Sequence, residues 1–272
     1  MHTLTRTLSP LLAAALAIAA AAAAAQDAPA ADPAALSPMK ILLAMSRTYS
    51  GCRSYRDTGK VKTRSVMEEG SFGSDVPFST AFVRDGPFRF QFTDSGLGEA
   101  SSVCILWWNG AEVQSWWDAK PGVRRSESLQ QALDVASGIS TGASLRVPGM
   151  LLPSVVGSGP PLIDPERIDD AVTGGASCFR IKGKSRATPY TETTGSSTVT
   201  VKDEAVTLWI DRATFLLRKV EEARTLDSYR STRTTTYTPE INVDIPADQL
   251  AFNAPAAAPA VTPPTPTPRK GR

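Results

Sequence analysis

The stretch SSVCILWWNGAEVQSWWDA, residues 101–119, gathers four of the chain's five tryptophans, Trp107, Trp108, Trp116 and Trp117, around a single Asn109-Gly110. Asn-Gly between two apolar runs is a strong hairpin signal and predicts a two-residue type I′ turn. In that register Trp108 lies opposite Ala111, Leu106 opposite Val113, Cys104 opposite Ser115 and Ser102 opposite Trp117, all on one face. The other face carries Trp107 opposite Glu112, Ile105 opposite Gln114 and Val103 opposite Trp116. Glu112 and Gln114 favour water, so the second face is expected outside and the first inside. Two tryptophans then point inward and two outward. Outward aromatics either stiffen a sheet by cross-strand packing or mark a contact surface.

The alternation continues upstream in Phe88-Arg89-Phe90-Gln91-Phe92, with the rings inward and Arg89 and Gln91 outward. Residues 54–66, 77–94, 102–117, 176–185, 198–211, 214–223 and 228–241 are rich in threonine, valine and aromatics, with turn residues between them, and read as strands. Ser37-Pro38 followed by Ile41, Leu42, Met45 and Tyr49 on one stripe predicts a helix capped by Ser37 and stopped at Gly51. Residues 126–138 predict a second helix, with Leu129, Ala132, Leu133 and Ala136 on one side. Residues 140–164 are rich in Gly, Pro and Leu without a period, and read as a long loop or short helical piece that serves as a lid. The helices are too few for repeated βαβ units. The expected fold class is α+β: one long, strongly curved antiparallel sheet with helices packed on one face.

Arg6 followed by an apolar run from Leu11 to Ala25, ending in small residues, is the pattern of an export signal over residues 1–25. Its 15 apolar-run residues fall short of the roughly 20 that a membrane span needs. Residues 26–36 are expected to be an alanine- and proline-rich linker, 37–253 one folded domain, and 254–272 a disordered tail of Pro, Ala and Thr. The expected location is the periplasm, with no integral membrane span in the mature chain. The 29 basic and 27 acidic residues are interspersed, which argues against a nucleic-acid partner, since that would need a concentrated basic field.

The single histidine is His2, inside the expected leader. A mature chain without imidazole excludes Ser-His-Asp and Cys-His machinery and disfavours a zinc site. Gly138-Ile-Ser-Thr-Gly142 matches G-x-S-x-G, but a helix precedes it where that motif needs a strand. Ser37-Pro-Met-Lys40 matches S-x-x-K without its partner motifs, and helix capping explains it. Glu68-Glu69, Asp169-Asp170 and Glu221-Glu222 are strand neighbours that point to opposite faces, so each pair reads as solvated charge rather than as an acid–base couple. No phosphate-binding loop or metal-spaced cysteine set appears; neither cofactor nor metal is expected. Cys52, Cys104 and Cys178 leave open one disulfide, in any of three pairings, or three buried thiols.

The order of a helix, CRSYRDTGKVKT (52–63), PFRFQF (87–92), LWWNGAEVQSWW (106–117), LWIDRATFLLRKVEE (208–222) and TYTPEINVDIPADQLAFNAP (236–255) resembles the LolA-like periplasmic proteins, which include outer-membrane lipoprotein carriers and exported relatives. The resemblance spans about residues 37–254. It implies a half-barrel whose concave apolar face is covered by helices, with a cavity for acyl chains. The chain is therefore expected to be a non-enzymatic, monomeric binding or carrier protein for a lipid, a lipoprotein acyl chain or another hydrophobic small molecule. The candidate lining is Phe88, Phe90, Leu106, Trp108, Val113 and Trp117, with Leu151 and Leu152 in the lid. The alternative is an envelope interaction or signalling module with a self-filled core, docking a protein at Trp107 and Trp116 or through the tail.

Overall fold

The computed structural model describes residues 36–94, 102–156, 162–194 and 197–254. The expected leader, all but Leu36 of the linker and all but Ala254 of the tail lie outside the described residues.

Helix α1 (Pro38–Gly51) starts at Ser37, whose Oγ accepts the Lys40 N–H, and buries Ile41, Leu42, Met45 and Tyr49 as the stripe requires. Two long strands follow, β1 (Ser54–Met67) and β2 (Gly70–Val83), then β3 (Phe88–Asp94), β4 (Ser102–Trp108), β5 (Val113–Trp117) and β6 (Lys120–Ser126). Helices α2 (Leu129–Ile139), α3 (Ala143–Leu151) and α4 (Pro153–Val156) come next. The chain then returns through β7 (Ile163–Thr173), β8 (Ala176–Lys184), β9 (Tyr190–Thr194), β10 (Ser197–Asp211), β11 (Leu217–Leu226), β12 (Arg230–Tyr237), β13 (Glu240–Ile241) and α5 (Ala247–Leu250).

The strands form one sheet in the order β6-β5-β4-β3-β2-β1-β12-β11-β10-β8-β7, with β13 on β1 and β9 on β10. Every pairing is antiparallel. Helix α2 packs on β4, β5 and β6, and α3 lies against α1, α2 and α4. This open sheet, covered by helices on its concave face, is the α+β half-barrel that the LolA-like resemblance implied. In β1, Gly59 faces Phe78. A Cβ at Gly59 would press into the Phe78 ring and the Thr236 carbonyl oxygen, so the close approach needs glycine.

The hairpin at Asn109-Gly110 forms with a longer loop than the dipeptide predicts. Trp108 pairs with Val113, Leu106 with Ser115 and Cys104 with Trp117, leaving residues 109–112 as the turn. The Asn109 side chain explains the difference: its Oδ1 accepts from the N–H groups of both Ala111 and Glu112, at 3.0 and 2.8 Å. An Asx turn thus withdraws those two residues from the ladder. Each partner shifts by two positions, an even number, so the residues keep the faces assigned to them.

One half of the concave face is filled with rings. Phe88, Phe90 and Phe92 are at most 1% exposed, and across the ladder Phe92 pairs with Phe78 and Phe88 with Phe82. Phe78 and Phe90 lie 6.0 Å apart, as do Phe90 and Phe92. Burying one such ring stabilises the fold by roughly 1.5–3 kcal/mol.

Candidate functional site

Of the eight residues expected to line a cavity, Phe88, Phe90, Leu106, Val113, Leu151 and Leu152 are buried core. Trp108 and Trp117 are half-buried. Trp117 donates its indole N–H to Ser102 Oγ at 2.7 Å, which fixes it to β4. None of the eight lines the cavity between the helix layer and strands β10 to β12.

The outward tryptophans are covered by the chain itself, which corrects the expectation of an exposed aromatic pair. Trp107 donates its indole N–H to the Leu250 carbonyl at 2.8 Å and lies 6.1 Å from the Phe252 ring. The segment around α5 therefore straps across this face. Trp116 is 7% exposed and Ile105 3%. The sequence signal for this cover, the apolar Leu250 and Phe252 just before the expected tail, was present but carried no period.

The cavity measures about 540 Å³ and lies between the helix layer and strands β10 to β12. Leu43 and Met45 of α1 and Leu145 and Met150 of α3 are its apolar lining on the helix side, beside Arg47 and Arg146; Leu208, Val220, Thr235 and Tyr237 line it from the sheet. Helix α3 falls in the stretch whose glycines and Pro148 hide any helical period. Gly142 starts it at φ +84°, and Arg233 packs its guanidinium where a Cβ would stand. Arg84, in the β2–β3 turn, holds the helix side by donating to the carbonyls of Tyr49, Cys52 and Leu151 at 3.0, 3.2 and 2.6 Å. Tyr49 in turn accepts the Leu217 N–H at 3.0 Å, tying α1 to β11 next to a bulge.

Charged side chains occupy the far wall. Glu222, 9% exposed, pairs with Arg146 of α3 at 2.9 Å and with Arg233 of β12 at 3.2 Å. Burial alone would push its carboxyl up, but Arg233 and Arg146 outweigh that and hold it below its ordinary value. Glu204, 1% exposed, accepts from the Ser185 N–H at 2.9 Å, from the Ser185 hydroxyl, from Tyr190 Oη at 3.1 Å and from Arg224 Nε at 2.9 Å. There too burial raises the carboxyl, and Ser185 and Arg224 bring it below the usual range. Arg224 also reaches Glu192 at 3.2 Å. The expectation that Glu221-Glu222 is solvated charge holds for Glu221, whose side chain is 41% exposed, and fails for Glu222. Glu221, on the opposite face, accepts from the Trp209 indole at 3.0 Å and pairs with Lys219. The signal was legible: Glu222 and Arg224 stand in phase with Val220 and Leu226, and Glu204 with Val206 and Leu208, all inward positions.

The remaining motifs are structural. Ser140 ends α2, fully buried, its Oγ accepting the Ser144 N–H at 3.3 Å. Glu68 and Glu69 form the exposed β1–β2 turn, and Asp170 pairs with Arg167 and Arg212. Cys52, Cys104 and Cys178 are three free buried thiols; burial pushes Cys104 up to about 12 and Cys178 to about 11. Among the described residues, no group of three or more His, Cys, Asp or Glu is placed to hold a metal ion, and no helix is long and apolar enough to cross a membrane.

No protein-family model matches the chain, and neither does any curated protein. Solved structures are similar to it. One is a LolA superfamily protein from Nitrosomonas europaea, at 10% identity over 80% of this chain and 98% of that one, with a TM-score of 0.32. LprF from Mycobacterium bovis matches at 12% identity over 78% of this chain and 97% of its own, TM-score 0.41. A chain of the Pseudomonas aeruginosa MucA/MucB complex matches at 12% identity over 78% of this chain and 60% of its own, TM-score 0.40.

Proposed function

We propose that this protein is an exported, non-enzymatic binding or carrier protein that takes a lipid, a lipoprotein acyl chain or a similar hydrophobic ligand into the cavity beneath α1 and α3. The observation that carries this reading is the cavity itself, about 540 Å³, with Leu43, Met45, Leu145 and Met150 on the helix side and Leu208 and Val220 on the sheet side. That volume falls within the roughly 300–1,000 Å³ of small-molecule sites. Burying acyl carbons there would stabilise a complex by about 0.8 kcal/mol per methylene, with no catalytic group required. The leader over 1–25 would direct the chain to the periplasm, and the linker and tail would flank a monomeric domain of residues 37–253. The alternative, an envelope protein docked at Trp107 and Trp116 or through the tail, would meet at Trp107 the strap around Leu250 and Phe252.

The test is titration of a fluorescent fatty acid into delipidated protein. Saturable binding is expected in the native chain and at least a tenfold loss (about 1.4 kcal/mol) in Val220→Trp, whose added ring fills the cavity from the sheet side. No saturable binding to the native protein would overturn the proposal.

A further inference from the structure

The cavity's charges narrow the class of ligand, an inference that rests on the reading above. Three arginines in and around its wall are matched by three carboxylates: Arg146 and Arg233 by Glu222, and Arg224 by Glu204 and Glu192. These cancel in total. Two further arginines line the cavity, Arg47 from α1 and Arg186 from the segment after β8, and both are exposed. Arg186 holds its guanidinium carbon 5.1 Å over the Tyr190 ring. Among the described residues, neither Arg47 nor Arg186 has a carboxylate within ion-pair distance. One guanidinium comes from the helix layer and the other from the segment after β8, so two exposed cations add net positive charge to a cavity whose paired inner charges cancel.

We propose that the cavity selects an anionic amphiphile, with its tail between Leu145 and Met150 above and Leu208 and Val220 below, and a phosphate or carboxylate head at Arg47 and Arg186. A guanidinium binds such oxyanions through two parallel, charge-assisted hydrogen bonds, and is more weakly hydrated than an ammonium, so it gives up water readily at a cavity mouth. An apolar ligand without a head would leave both cations without a counter-charge.

The experiment displaces a neutral fluorescent acyl ester from the delipidated full chain with dodecyl phosphate, dodecanol or inorganic phosphate. Dodecyl phosphate is expected to compete about tenfold better than dodecanol, as one charge-assisted contact provides, and inorganic phosphate not to compete. The double variant Arg47→Glu/Arg186→Glu is expected to abolish the preference while leaving dodecanol competition and melting temperature unchanged; Arg47→Gln/Arg186→Gln repeats the measurement without charge reversal. Equal competition by dodecyl phosphate and dodecanol in the native chain would overturn the head selectivity and leave the binding function standing. Competition by inorganic phosphate as strong as by dodecyl phosphate would overturn it in favour of a free-anion site. Failure of the ester itself to bind would overturn both.

Discussion

Asp57 shows how a single residue carries the conflict between a packed interior and a polar group. It is 4% exposed, and its Oδ2 accepts from Tyr55 Oη at 2.7 Å, yet Oδ1 has no hydrogen-bond partner. Burial pushes its carboxyl from the ordinary 3.8 up to about 6, against the pull of its hydrogen bonds from Tyr55 and Thr80. The folded state therefore holds this proton more tightly than the unfolded chain. Stability from Asp57 is full below 3.8 and is lost as the pH rises through about 6. Asp57→Asn is expected to raise the melting temperature at about pH 8 and to lose that advantage near pH 4. Thermal unfolding of both proteins at the two pH values checks it; an equal gain at both would contradict the account. Glu204, Asp211 and Glu222 are held low and act with the opposite sign, but they are common to both proteins and cancel in the difference.

At the scale of the element, the helix layer depends on a side chain outside it. Arg84 satisfies carbonyls at the ends of both α1 and α3, groups that a helix terminus leaves without partners. Arg84→Met is expected to cost roughly 2–3 kcal/mol, as loss of hydrogen bonds to a charged group does. Denaturant unfolding reads the cost, and faster hydrogen exchange in the last turns of α1 and α3 locates it. A loss below about 0.5 kcal/mol, the scale of an ordinary surface change, would contradict the role. Helices α1 and α2 were legible because each carries an unbroken apolar stripe, with a serine cap read at the start of α1. Strands β6 and β7 were not. Both are sheet edges, and their sequences, KPGVRRS and IDPERIDDAVT, carry the proline and charge that protect an edge from pairing with another chain. The features that make a good edge erase the alternation that marks a strand. The hairpin loop was misjudged for a similar local reason, because Asn109 uses its side chain as well as its backbone.

Across the whole molecule, the concave face divides into two halves of different chemistry. Strands β2 and β3 fill theirs with phenylalanines, whereas β10 to β12 carry Glu204, Glu222, Arg224 and Arg233 at inward positions and leave a cavity under α1 and α3. Of the eight residues read as a cavity lining, six are buried core, and none of the eight lines the cavity under α1 and α3. Aromatic density was read as a sign of a ligand site, and in this fold it fills its own space. Charged residues in an apolar phase mark the wall of that cavity, since charges are carried inward only where partners or solvent meet them. Native mass spectrometry of the protein released intact from the cell envelope tests the central claim most directly. It is expected to show the mature chain carrying one amphiphile of lipid mass, released on collisional activation and absent from Val220→Trp. A native protein found only at its bare polypeptide mass, with the same spectrum in the variant, would contradict it.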